Sequence, residues 1–428
     1  MLFNRKNIAP YINSGAKVLS GVLVSVLLLV NISNELRGVF YTMQSLLAAQ
    51  ILFDGGMSLI LLKRTSKVIR NHNLQPGRYS KKRVNKYLNF LKLWGYFSSI
   101  LYVVIVTPLG YLYLNSTLGS NVEIDWKLPW LLASTLSGAM FVIRSKQIFI
   151  ESSLDIDFVQ LSSALIVLIS FGVLAAMIFM GLALYGLSAY YFSMYIFSYI
   201  FFKEKYIKNS RIFYKNENPR IGFVKKFVKS QIKLFLTYSI GFFYWNSLPL
   251  IIFKFLGPEV AGKWGAVNSV LGGVSQLSNS RVIANISLHA NSLSTKRDHA
   301  TAYFEKMMVV SATIFCALSI LLGVVLYVLA PIYFNISTRI TGWAEYFLMC
   351  SVFLINMLIG NYALAGRLVK NEPYFLFSFI VNVLTPLMLL MAINFHDDLV
   401  ALLFLNFIIH VAYMLWARSI HSKIFKWG

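Results

Sequence analysis

FLGPEVAGKWGA, residues 255–266, separates two long apolar runs, and a diluted copy of it, NELRGVFYTM, lies at residues 34–43. A shift of 224 residues pairs Glu35 with Glu259, Gly38 with Gly262, Phe40 with Trp264, Ser45 with Ser269 and Leu47 with Leu271. In both places a long span ends, an acidic residue and a glycine make the turn, and an aromatic opens the next span. An internal repeat of this kind marks proteins built from two related helical bundles.

The surrounding composition fixes the solvent of those bundles. With 57% hydrophobic and only 13% charged residues, the chain carries more apolar surface than a soluble fold can bury. A helix needs about 20 apolar residues to cross about 30 Å of hydrocarbon. Such runs fall at 11–32, 38–62, 88–114, 128–150, 158–179, 183–202, 231–254, 262–286, 306–333, 342–366, 373–393 and 399–419. The pattern predicts an all-α membrane protein of twelve transmembrane helices in two six-helix lobes related by a pseudo-two-fold repeat. The N-lobe spans 1–202, a basic linker 203–230 and the C-lobe 231–428. The first ten residues show no signal-cleavage pattern, so the first run is read as a span. Cys316 and Cys350 lie in apolar runs and imply packing, not a disulfide framework.

The formal charge of +23 follows from topology. With both termini in the cytoplasm, 34 of the 39 Lys and Arg lie on the inner side, leaving Arg37, Lys127, Lys254, Lys263 and Arg339 outside. That asymmetry satisfies the positive-inside rule, and no nucleic-acid partner is needed to explain it. The heaviest inner segments are 63–86 and 203–230, and the second divides the lobes.

Charges inside spans are costly, about 2.5–3.5 kcal/mol at mid-bilayer, and so become candidates for function. Lys17 in SGAKVLS, Arg144 in MFVIRSKQ and Arg281 in SNSRVIAN fall on inner halves of spans one, four and eight. Together they would receive an anionic head group, or each would snorkel to the inner interface. Asp54 in LFDGGMSL is a site for a proton or sodium ion, or else the partner of a cation within its lobe. Gly55 and Gly56 beside it are expected to serve helix packing. Tyr191, Tyr195 and Tyr199 share a stripe of span six that would contact sugars or pack against a neighbour. The six histidines show no metal-ligand spacing, and GxSxG, Walker and HExxH patterns are missing, so the sequence implies neither catalytic residues nor a metal or cofactor.

FLGPEVAGKWGA resembles the outward turn between spans seven and eight of the polysaccharide biosynthesis protein family, the O-antigen flippases of the multidrug/oligosaccharidyl-lipid/polysaccharide exporter superfamily. NELRGVFYTMQSLLAAQILFDGGMSLILLKR, residues 34–64, resembles the matching first-lobe segment. Where that family often has an acidic residue in span seven, this chain has Asn246. The resemblance implies a V-shaped pair of lobes about a central cavity and a flippase of the bacterial cytoplasmic membrane. Its substrate would be a polyprenyl-diphosphate-linked oligosaccharide, moved by alternating access under membrane potential or cation exchange. A glycan polymerase and a chain-length protein would be its partners. A cation-coupled multidrug exporter would place several carboxylates deep in its lobes, and a glycan polymerase or ligase would present acid-base groups on a sizeable outer loop. This sequence has neither feature.

Overall fold

The computed structural model describes residues 8–118, 124–153, 155–211, 232–284, 297–329, 337–369, 373–394 and 398–426. Among these residues every regular element is helical. In chain order they are α1 (Ile8–Asn31), α2 (Asn34–Leu47), α3 (Gln50–Asp54), α4 (Met57–Leu74), α5 (Arg78–Leu118), α6 (Lys127–Ser152), α7 (Ile156–Phe179) and α8 (Ala183–Arg211). They continue with α9 (Ile232–Phe255), α10 (Gly257–Ala284), α11 (Arg297–Val324), α12 (Trp343–Val369), α13 (Phe375–Ile393) and α14 (Leu399–Lys426). A π-helical turn, Val325–Leu329, extends α11, and a 3₁₀ turn, Ser337–Arg339, precedes α12. With α2, α3 and α4 forming one interrupted passage, the helices make the twelve passages that the apolar runs predict.

Eight of the described helices are long and apolar enough to span a bilayer. The passage α2–α4 and the helices α8, α9 and α10 are not among them, although α9 holds a shorter apolar stretch, Ile240–Phe255. Two of these four, α2–α4 and α10, open with the repeated motif. Large apolar side chains stand exposed on the outside of the others, including Phe97, Ile100 and Val104 on α5 and Ile320 and Leu321 on α11. Only lipid can satisfy such surfaces, because each helix satisfies its own backbone hydrogen bonds.

The two most basic segments differ from the sequence expectation. Residues 63–86 are not a loop: α4 runs to Leu74 and α5 begins at Arg78, leaving three residues between them. Helix α8 continues to Arg211, so the first part of the expected linker is helical; 212–231 lie outside the described residues. The C-terminal end of α8 is pinned to the start of α7, where Lys205 Nζ lies 3.2 Å from Asp155 Oδ1 and Asn209 Nδ2 donates to Asp155 Oδ2 at 3.0 Å.

Two compact units emerge, one of Met1–Ser20 with Met43–Phe242, the other of Gly21–Thr42 with Phe243–Gly428. In the first, α5 packs on α6, α7 on α8 and α6 on α8. Small residues allow the first of these approaches, since a Cβ on Gly95 would stand 2.9 Å from that of Ser145. Ile143, Ile150, Val159, Ile166 and Phe202 form the core between α6, α7 and α8. In the second unit α12 and α13 pack on α14 around Tyr374, Phe377, Val381, Ile409 and Tyr413.

Because residues 21–42 belong to the second unit, the second copy of the repeated motif and all of the first but Met43 lie within it. They pack on each other with two-fold symmetry. A Cβ on Gly38 would fall 1.9 Å from the carbonyl oxygen of Pro258, and a Cβ on Gly262 would fall 1.9 Å from that of Asn34. Shifting 38 and 34 by 224 gives 262 and 258, so the two contacts are one contact made twice. On the axis itself a residue must face its own equivalent, and Tyr41 lies against Gly265, its partner under the same shift. The glycines therefore do not make the turns, as the sequence suggests; they sit inside α2 and α10 where the two backbones touch. The second turn is made instead by Gly257, whose φ of 86° favours glycine.

Around this junction Glu259 accepts from Lys263, with Nζ to Oε1 at 2.7 Å, and the ammonium holds the carboxyl below its ordinary range. Arg37, fully buried, donates to Asn34 Oδ1 and to the Arg339 carbonyl at 3.0 Å. Arg339 in turn donates to the carbonyls of Leu29 and Val30 at 3.1 and 2.6 Å, which the end of α1 leaves free.

Candidate functional site

The first unit brings together two of the three cations expected to bind an anion. Lys17 on α1 and Arg144 on α6 are both exposed, and Lys17 lies within electrostatic reach of Arg144 and of Glu151. Neither cation forms an ion pair among the described residues. Arg144 Nη1 reaches only Gln147 Oε1, at 3.5 Å. Glu151 is engaged elsewhere, because Gln160 Nε2 on α7 donates to its Oε1 at 3.3 Å while Asn13 Nδ2 on α1 donates to Gln160 Oε1 at 2.6 Å. That rail ties α1, α6 and α7 together, and Glu151 keeps its negative charge within electrostatic reach of Lys17. Arg281 belongs to α10, but its side chain lies outside the described residues.

Asp54 ends α3 at a break in the second passage. Gly55 and Gly56 take φ of 47° and 73°, left-handed values that cost other L-residues about 1–2 kcal/mol. Their role is thus to unwind the chain, not to pack helices as the sequence reading expects. Unwinding exposes the first amides of α4, and Asp54 covers them: its Oδ1 accepts from the backbone N–H of Ser58 at 3.3 Å and from the Ser58 hydroxyl. No basic side chain pairs with Asp54 among the described residues.

A second interruption lies one turn earlier, where α2 ends at Leu47. The freed Leu47 carbonyl accepts from the hydroxyl of Tyr102 on α5 at 3.1 Å, and Tyr102 lies 3.2 Å from Ser137 Oγ on α6. Gln50 Nε2 donates to the Ser137 carbonyl at 2.7 Å. Irregular backbone at membrane depth is tolerated where protein or water satisfies it, and these side chains do so. Sequence reading missed Gln50, Tyr102 and Ser137 because each is unremarkable alone; the glycine pair after Asp54 was the available sign of a broken helix.

The tyrosine stripe of α8 spreads over three surroundings. Tyr191 interacts with Ser137 and Tyr102, Tyr195 packs on the core around Ile143 and Phe202, and Tyr199 is capped by Lys146 and Lys203 at 4.9 and 5.4 Å from its ring centre. Asn246 is half-buried on α9.

This architecture is that of an all-helical, multi-pass membrane protein. It is similar to the lipid II flippase MurJ in an inward closed conformation, with 14% identity, a TM-score of 0.62, and coverage of 98% of this chain and 90% of that one. It is also similar to an inward-facing multidrug resistance MATE family transporter of the MOP superfamily, with 11% identity, a TM-score of 0.56, and coverage of 98% and 95%. A third likeness is to MATE in the bent conformation, with 11% identity, a TM-score of 0.54, and coverage of 99% and 95%. At these identities what is shared is the fold. No protein-family model and no curated protein matches the sequence.

Proposed function

We propose that this chain is a flippase that carries a polyprenyl-diphosphate-linked oligosaccharide from the inner to the outer leaflet of the bacterial cytoplasmic membrane. The observation that carries the reading is the pair Lys17 and Arg144, both exposed, within electrostatic reach of each other and without ion pairs among the described residues. A diphosphate and its sugars cannot enter hydrocarbon without replacement for their lost water. Two cations of the first unit supply it for the phosphates, and Tyr191, Tyr195 and Tyr199 supply hydroxyls and rings for sugars. Transport would proceed by alternating access, with both termini inside, the orientation that the distribution of Lys and Arg favours. A glycan polymerase and a chain-length protein would use the product.

The likeness to MATE structures favours a second reading, export of small cations by the same fold. Lys17 and Arg144 oppose it, because they repel such substrates. The deciding experiment replaces each with Ala in cells that depend on this protein for surface glycan. Loss of the glycan, with lipid-linked units accumulating on the inner leaflet, supports the flippase. Unaltered glycan with raised sensitivity to lipophilic cations would move the protein to the exporters. Single units accumulating on the outer face would identify a polymerase.

A further inference from the structure

The second unit contains a histidine that neither the diphosphate site nor the Asp54 break uses. His410 on α14 is 2% exposed within an apolar helix. Its two ring nitrogens have different partners. Nδ1 lies 2.6 Å from the carbonyl oxygen of Asn406, one turn earlier. Nε2 is hydrogen-bonded to the hydroxyl of Tyr244 on α9, which also bonds Asn356 Oδ1 on α12. Tyr244 and Asn356 are only half-buried, whereas His410 is sealed. The Tyr244 hydroxyl is the single hydrogen-bonding link from Nε2 toward the less buried side among the described residues.

We infer that His410, Tyr244 and Asn356 form a proton-binding site that joins α9, α12 and α14. A carbonyl can only accept, so Nδ1 carries a proton in every state. That leaves Nε2 as the atom that takes up or releases one. In the neutral ring, Nε2 accepts from the Tyr244 O–H, and the Asn356 amide donates to the tyrosine oxygen. With a proton bound, Nε2–H donates to Tyr244 and Tyr244 donates to Asn356 Oδ1. Asn356 serves both states because its amide presents a donor or an acceptor by rotation. Every hydrogen bond is kept in both, so protonation reverses the chain of donors without orphaning a buried group. The proton comes from water and returns to it, and no other bond changes.

The surroundings leave this reversal to the three residues. From α14 Tyr413 approaches with its ring centre 6.1 Å away, and its hydroxyl is engaged with Thr385 of α13 at 3.2 Å. Trp245 on α9 stacks edge-on against Tyr244. No carboxylate, lysine or arginine bonds His410, Tyr244 or Asn356 among the described residues, so no ionised partner locks the ring in one charge state. A buried charge in a membrane helix is costly unless dipoles are aimed at it, and this network aims two. Under the function proposed above, the site would supply the ion exchanged for substrate.

Nitrogen-15 NMR of histidine-labelled full-length protein in lipid bilayers tests the site without any transport substrate. His410 is assigned by its loss in His410→Gln or, should that variant not fold, in a chain whose other five histidines are replaced. The expected spectrum at about pH 9 is a neutral ring protonated at Nδ1, converting to imidazolium by about pH 3. Tyr244→Phe should alter the Nε2 resonance and leave Nδ1 in place. A neutral ring protonated at Nε2, or a neutral spectrum unchanged over that range, would overturn the assignment. A silent His410 with glycan export intact removes this site alone, whereas a titrating His410 in a chain that flips nothing removes the flippase and leaves the site standing.

Discussion

Asp54 has two roles that substitution can separate. As a cap it needs only an acceptor oxygen for the Ser58 amide, which Asn provides and Ala does not. As an ion site it needs the charge. Asp54→Ala should lower stability by about 1 kcal/mol, the usual cost of a lost helix cap, while Asp54→Asn should melt within a degree or two of the parent. If glycan export fails in the Asn variant at unchanged melting temperature, the charge is functional. Equal export by Asn and parent would reduce Asp54 to a structural acceptor. The sequence showed Asp54 as an ion too deep to be idle, but it could not show that two consecutive left-handed glycines turn its carboxylate onto the amides of the next helix.

Between elements the decisive contact is backbone against backbone at Gly38 and Gly262. Any side chain there must displace a carbonyl, since the added Cβ would lie 1.9 Å from it. Gly38→Ala and Gly262→Ala should each destabilise the detergent-solubilised protein by about 1–3 kcal/mol, the range for overpacking. Gly15→Ala and Gly21→Ala are the controls, because nothing lies within 4 Å of a Cβ at either position. They should be neutral or stabilising by up to about 1 kcal/mol through helix propensity. Thermal melting of the four variants checks this, and equal loss in all four would remove the close junction. The repeat itself was legible, since the 224-residue shift already paired these glycines; their use was misread because glycine signals a turn more readily than a crossing. The network of His410 was less legible still. Tyr244, Asn356 and His410 are 112 and 166 positions apart at the tyrosine's two bonds, and no periodicity within a helix reports which helices will meet.

For the whole molecule, the charges assigned to the proposed site bear on what would drive it. A substrate diphosphate carries about two negative charges, matched by Lys17 and Arg144, so the loaded step would move little net charge through the field. The empty carrier would instead return two cations toward the inside, and a negative interior pulls them. Each charge crossing the full field gains about 2.3 kcal/mol per 100 mV, a ceiling of about fifty-fold in rate. At saturating substrate, proteoliposomes with an interior-negative potential should therefore turn over faster than depolarised ones. Arg144→Gln removes one of the returning charges, so its turnover should rise less steeply with voltage than the parent's, whatever its absolute rate. Turnover insensitive to voltage in the parent would assign the motor to ion exchange. An identical voltage slope in the variant would show that Arg144 does not move through the field, and with that the anion site would have to be sought away from the inner half of α6.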